Sequence, residues 1–254
     1  MRSIRTRSDG FSRCHETRIS PLVQSQAPSR YGAPDIRSCR RQGADVSHPR
    51  FFEYEELGIV ASLSEKLEAG HLQLYCIEGL ARESFYAGHN HPAERVRRHA
   101  ALEAYILNEV VPLIAEKNPE GSTIVQGCSL GAFQAASLVF RHPHLFTKLV
   151  AFSGRYDLTM KVESFGDLFD GYYDDDVYFH MPSHFLPGLS CPWRLDSLRR
   201  IDMVFTIGDA DPFLNNNHHL SRVLSDKQVG HQMHVWEGRA HRAGAWRKMA
   251  ALYI

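Results

Sequence analysis

Three residues far apart in the chain have the types and the order that acyl transfer needs. Gly127-Cys128-Ser129-Leu130-Gly131 reads G-x-S-x-G. A serine hydroxyl is a weak nucleophile at neutral pH, so it needs a base, and the base needs a group that holds its tautomer. Downstream, Thr206-Ile207-Gly208-Asp209-Ala210-Asp211-Pro212 offers two carboxylates, and Val235-Trp236-Glu237-Gly238-Arg239-Ala240-His241 offers an imidazole. Serine, then acid, then histidine is the chain order that accompanies a serine on a strand-to-helix turn. Asp211 is the preferred acid, because a few residues past the strand end leave room to turn towards the serine; Asp209 is the alternative. Each residue also has a plainer reading. The serine motif could be a tight glycine turn, Asp211-Pro212 a helix-capping turn, and His241 a helix-cap or surface histidine.

The elements that must position these groups are legible in the apolar periodicity. Residues 51–68 read as a helix, with Leu57, Val60, Leu63 and Leu67 at helical spacing and Gly70 just past its end. Residues 71–77 read as a strand and 92–117 as a long helix. Then follow a strand at 122–126, a helix at 130–141 and a strand at 148–152. The remainder reads as a strand at 202–207, a helix at 215–227, a strand at 231–236 and a closing helix at 242–252. This alternation argues for an α/β fold with a parallel sheet covered on both faces. Ligands bind such sheets beyond the carboxyl ends of the strands, which is where Ser129, Asp211 and His241 all fall. The glycines flanking Ser129 allow strand and helix to pass closely. The helix beginning at Leu130 aims free N–H groups and a positive dipole end at a developing oxyanion.

Composition narrows the function classes. The 254 residues carry 29 basic and 29 acidic side chains, a formal net charge of zero, which argues against a nucleic-acid binder. The hydrophobic share is 43%, ordinary for a globular protein, and no apolar run approaches a membrane span. Five cysteines at wide spacing, with no CxxC pair, suggest a reducing, cytoplasmic setting rather than a disulfide framework or zinc ribbon. Residues 1–49 are rich in Arg, Ser, Gln and Pro and read as an irregular N-terminal segment with no signal peptide, ahead of a single domain at 50–254.

The histidine pairs His89/His91, His142/His144, His218/His219 and His231/His234 sit in different loops and strands and do not read as a metal site, which needs three or four convergent ligands. Cys128 reads as a packing residue. Tyr172-Tyr173-Asp174-Asp175-Asp176-Val177-Tyr178-Phe179 lacks the glycine and distal glutamate of a calcium loop. It reads as a loop over the site, within the 165–189 stretch that shapes the acyl pocket.

Taken together, several stretches resemble the putative-esterase family, which includes esterase D, feruloyl esterases and mycolyltransferases. The likeness is greatest to small single-domain bacterial members. It rests on Phe51-Phe52-Glu53-Tyr54-Glu55, Gly127 to Ala132, Phe140-Arg141-His142-Pro143, Gly171 to Asp175, Gly208 to Asn217, and Gly238 to His241 with Trp246. The resemblance implies an α/β-hydrolase fold and a cofactor-free carboxylic-ester hydrolase with Ser129 as nucleophile, His241 as base and Asp211 as its orienting acid. It implies Leu130 as one oxyanion donor and the 46–50 loop, at Ser47, as the second. Tyr172, Tyr173 and Trp246 are the implied substrate contacts, on a small acyl or aryl ester. The chain departs from the family where Arg242 and Ala243 follow the base, and where no apolar strands precede residue 50. The N-terminal strands are therefore expected to be missing or altered. A catalytically impaired hydrolase-fold protein with a binding or vestigial role, and an acyltransferase, are the alternatives.

Overall fold

The computed structural model describes residues 53–254. The 1–49 segment, Ser47, Phe51 and Phe52 lie outside the described residues. The described residues open with three short helices, α1 (Glu53–Glu56), α2 (Ile59–Ser62) and α3 (Ser64–Glu68). The single helix expected over 51–68 is broken at Gly58, whose φ of 72° is left-handed and ends α1. Next come α4 (Pro92–Tyr105), a π-helical stretch (Ile106–Val110) and α5 (Val111–Lys117), which together form the expected long helix.

The chain continues with β1 (Ile124–Cys128), α6 (Leu130–Arg141), a 3₁₀ turn (Pro143–Leu145) and β2 (Lys148–Phe152). Three helices follow, α7 (Asp175–His180), α8 (Pro182–Gly188) and α9 (Pro192–Arg199). The chain ends with β3 (Asp202–Gly208), α10 (Leu214–Asp226), β4 (Gln232–Trp236) and α11 (Ala243–Tyr253). The four strands form one parallel sheet in the order β1-β2-β3-β4.

Side-chain alternation along β2 shows how the sheet is clad. Leu149 and Ala151 join a core with Ala136, Val139 and Phe140 of α6 and Leu220 of α10. Val150 and Phe152 point the other way, to Ile59, Leu63 and the α11 residues Trp246, Met249 and Ala250. This is the period-two geometry of a strand buried on both faces. A third cluster gathers Phe85, Val96, Phe133, Phe169, Val177 and Met181, so it ties α4 and α7 to α6.

β2 and β3 are almost wholly buried, whereas β1 is mostly half-buried. Among the described residues β1 pairs only with β2. The strand expected at 71–77 is not formed: residues 71–78 have no ladder partner among the described residues. They line the same cavity of about 560 Å³ as Ile124 to Cys128 instead. Alternating apolar residues make a strand only when a neighbour completes the ladder, and the described residues provide none. Leu74 and Ile77 are left 36% and 38% exposed. No helix of the described residues is long and apolar enough to cross a membrane.

Candidate active site

The site is built at the carboxyl ends of β1, β3 and β4. Ser129 follows β1 directly, with φ 56° and ψ −119°, outside the relaxed regions for a residue with a side chain. Its backbone N–H donates to the carbonyl of Phe152 at 2.8 Å. The turn is possible because residue 127 is glycine: a Cβ there would sit 2.0 Å from the Gly131 carbonyl oxygen. The second glycine of the motif plays a different part from the one its position suggests. A Cβ on Gly131 would meet nothing within 4 Å, so the close approach needs a bare residue at 127 only.

A second glycine brings the other two groups together. A Cβ on Gly208 would lie 2.2 Å from the Gly238 oxygen and 2.3 Å from the Arg239 oxygen. The loops after β3 and β4 therefore run against each other. They are tied by Ala210 N–H to the Gly238 carbonyl at 3.1 Å, and by Gly238 N–H to Asp209 Oδ1 at 2.7 Å. Asp211 and His241 meet across this seam. His241 Nδ1 lies 2.9 Å from Asp211 Oδ2, and His241 Nε2 lies 3.0 Å from Ser129 Oγ. With Nδ1–H donating to the carboxylate, Nε2 presents its lone pair to the serine hydroxyl. Asp211 is 4% exposed, and its other oxygen accepts from Phe213 N–H at 2.9 Å. It is thus both a turn residue and the partner of the imidazole, while Asp209 serves the loop backbone.

Leu130 is the first residue of α6, so its N–H has no acceptor within the helix. It lines the cavity beside Ser129, Gly131 and Tyr86. Ser47, expected as the second oxyanion donor, lies outside the described residues. Trp246 lines the same cavity, but 9% exposed it is chiefly a support. Its ring lies 5.3 Å from that of His241, and Nε1–H donates to Ser153 Oγ at 3.1 Å. Ser153, held at a φ of 52° just past β2, was not singled out by sequence. Its only sequence signal is its place one residue beyond a strand end.

Tyr172 and Tyr173 are not brought to the cavity that Ser129 lines. Tyr172 donates to Asp174 Oδ2 at 2.6 Å, and Tyr173 OH lies 2.8 Å from His184 Nδ1, whose Nε2 lies 3.0 Å from Asp157 Oδ2. Asp174 caps α7 by accepting from Val177 N–H at 2.8 Å. The acidic-aromatic run is therefore a helix start; Tyr172 bonds within it and Tyr173 ties it to α8. Cys128 is partly exposed, yet burial of its sulfur pushes the thiol up to about 12. It is a packing residue and no nucleophile at neutral pH.

The histidine pairs remain apart. His91 caps α4 through Ala93 N–H, His231 bonds Ser221 Oγ at 2.7 Å, and His142 bonds Glu103 at 2.8 Å. The last contact borders a cluster that sequence reasoning missed: His99, Glu103 and His180, all buried. Burial lowers His99 to about 3, with His180 adding to the effect. For Glu103 burial opposes ionisation, but the hydrogen bond from His142 and the Arg141 guanidinium outweigh it and hold the carboxyl below its usual range.

The model of the family described as "Putative esterase" matches residues 76–250. No curated protein sequence matches the chain. Among solved structures, a ferulic acid esterase is similar at 16% identity and a TM-score of 0.55, over 80% of this chain and 77% of that one. The enterobactin esterase of Shigella flexneri, solved in the presence of 2,3-dihydroxy-N-benzoyl-glycine, is similar at 17% identity and a TM-score of 0.53. That likeness covers 79% of this chain and 48% of the enterobactin esterase, so the chain spans about half that protein's length. At these identities the structural likeness speaks for the α/β-hydrolase fold, and the family match for kinship. On the extent of that match, this chain belongs to the putative-esterase family.

Proposed function

We propose that the protein is a serine carboxylic-ester hydrolase that works through an acyl-enzyme on a small acyl or aryl ester. One observation carries this reading: an unbroken relay from Ser129 Oγ through His241 to a buried Asp211, with links of 3.0 and 2.9 Å. In the proposed reaction Ser129 Oγ attacks the ester carbonyl while His241 Nε2 takes its proton. Asp211 holds the Nδ1–H tautomer and stabilises the imidazolium. The Leu130 N–H donates to the oxyanion; removal of one such donor typically costs ~10²–10³ in rate. His241 then returns the proton to the leaving alcohol, and water repeats the sequence on the acyl-serine. Membership of an esterase family supports the reaction class. Leu130 and Tyr86, which line the cavity with Ser129, support an acyl or aryl group as the bound part. The cysteine count and spacing support a cytoplasmic setting.

Hydrolysis of p-nitrophenyl acetate and butyrate by wild type and Ser129→Ala tests the proposal. The expected result is turnover by the wild type and its loss, by ~10⁴-fold or more, in a variant with unchanged circular dichroism. A folded wild type that hydrolyses neither ester would overturn it and leave a binding role for the fold.

A further inference from the structure

We propose that His99, Glu103 and His180 form a binding site for a divalent cation of the zinc type, a structural clasp that ties α4 to α7. One ligand atom from each residue lies within 4.8 Å of the others. The residues are 3%, 6% and 4% exposed. The hydrogen bonds around them leave lone pairs pointing inward. His180 Nδ1 donates to the Asp176 carbonyl at 2.7 Å, which fixes the tautomer and turns an unprotonated Nε2 to the cluster, where it has no partner. A backbone carbonyl behind a ligand imidazole is the usual arrangement in metal sites. Glu103 Oε1 is held by His142 at 2.8 Å and Arg141 at 3.2 Å, and Oε2 is without a partner. Neither ring nitrogen of His99 has a partner.

Buried polar atoms are nearly always bonded, so three lone pairs without a partner in a single cluster, on Glu103 Oε2, His180 Nε2 and one ring nitrogen of His99, call for a common ligand. Packing alone does not explain His99, because its ring lies against Phe85 and Phe133, where an apolar residue would serve. Two imidazoles and a carboxylate are a zinc donor set, whereas calcium and magnesium prefer all-oxygen shells. Tetrahedral ligand bonds of about 2.0–2.1 Å require the donor atoms to contract by up to about 1.5 Å from their present spacing. His180, the last residue of α7, is placed to supply that movement. Arg141 is the opposing charge. Its guanidinium grips the far carboxylate oxygen, and His142 adds to it when protonated. Access exists, because His99 and Glu103 line the cavity along β1.

The test uses the full chain, produced with added zinc, dialysed against metal-free buffer and assayed for bound metal. One zinc per chain is expected in the wild type. His180→Asn keeps a donor for the Asp176 carbonyl but replaces the Nε2 ligand by a shorter, weakly ligating amide, and His99→Phe fills the apolar surround; each should lose the metal. His219→Gln, on the exposed face of α10, and His241→Ala should keep it. X-ray absorption on the wild type should show imidazole and carboxylate ligands at about 2.0 Å, and this reading stands even if a variant fails to fold. Wild type that retains no zinc, zinc retained equally by His180→Asn and His99→Phe, or a spectrum without imidazole ligands would overturn the proposal. The cluster would then enclose a buried water.

Discussion

Two of the histidine–carboxylate clusters among the described residues, one at the strand ends and one between α4 and α7, differ in how completely their polar atoms are partnered. At the strand ends, His241 uses both nitrogens and Asp211 both oxygens, on each other, on Ser129 and on Phe213. Between α4 and α7, His99 uses neither nitrogen, and Glu103 and His180 each keep one atom without a partner. The first arrangement fixes a tautomer and aims a lone pair at a hydroxyl, which is what proton transfer in place requires. The second holds lone pairs on three side chains that nothing in the cluster occupies, which is what metal binding requires. Substitutions should therefore separate the two clusters: loss at the first should read out as rate, and loss at the second as stability.

The largest effect is expected at the acid. Asp211→Asn keeps the shape but reverses the tautomer preference, and should lower kcat for p-nitrophenyl esters by ~10⁴-fold with little change in unfolding. A variant within tenfold of wild type would remove the distinction between the clusters. Next, Glu103→Ala strips the partner from Arg141 and His142 and should cost about 3 kcal/mol in urea unfolding. Its folded fraction should hydrolyse esters within a few-fold of wild type. Equal loss of rate and stability would show that the second cluster reaches the chemistry. Gly208→Ala forces apart the seam between Asp211 and His241 and should cost ~10²-fold in kcat/KM, the usual penalty for misplacement by about an ångström. Unchanged kinetics would mean the seam tolerates the added methyl group.

The smallest effect is a pH dependence at a third pair. Burial opposes ionisation of Asp157, but hydrogen bonds from His184 and Thr159 hold its carboxyl below the usual 3.8. A carboxylate with a depressed folded pKa adds stability above the unfolded value, and that stability is lost as pH falls through the lower folded one. The stability gap between wild type and Asp157→Asn, from urea unfolding, should thus be full at pH 6 and narrow below about pH 4. A gap that stays constant to pH 3 would contradict the assignment.

The same contrast explains what the sequence made legible. Ser129, Asp211 and His241 could be picked out because each lies just past a strand, and strand ends are readable from short apolar runs such as those of β2 and β3. Asp211 was preferred over Asp209 for its distance from the strand end, but the seam set by Gly208, which turns Asp211 to His241 and Asp209 to the loop backbone, has no signal in the sequence. His99 and Glu103 are four apart on the buried face of α4, a spacing the sequence displays. Their partner His180, however, comes from a stretch where Pro182 and Pro187 interrupt the helical pattern, so α7 and α8 passed as one loop. The strand expected at 71–77 had the right alternation, but a strand also needs a neighbour, which no local pattern encodes. Tyr172 and Tyr173 were placed at the pocket by their position between core strands. Their hydroxyls instead serve Asp174 and His184.

The central claim is that Ser129 is an activated nucleophile, and covalent labelling tests it most directly. The full chain is treated with a fluorophosphonate and its intact mass measured, followed by peptide mapping. A single adduct on Ser129, absent from both Ser129→Ala and His241→Ala, is the predicted result. An unlabelled, folded wild type, or an adduct on any other residue, would contradict the account.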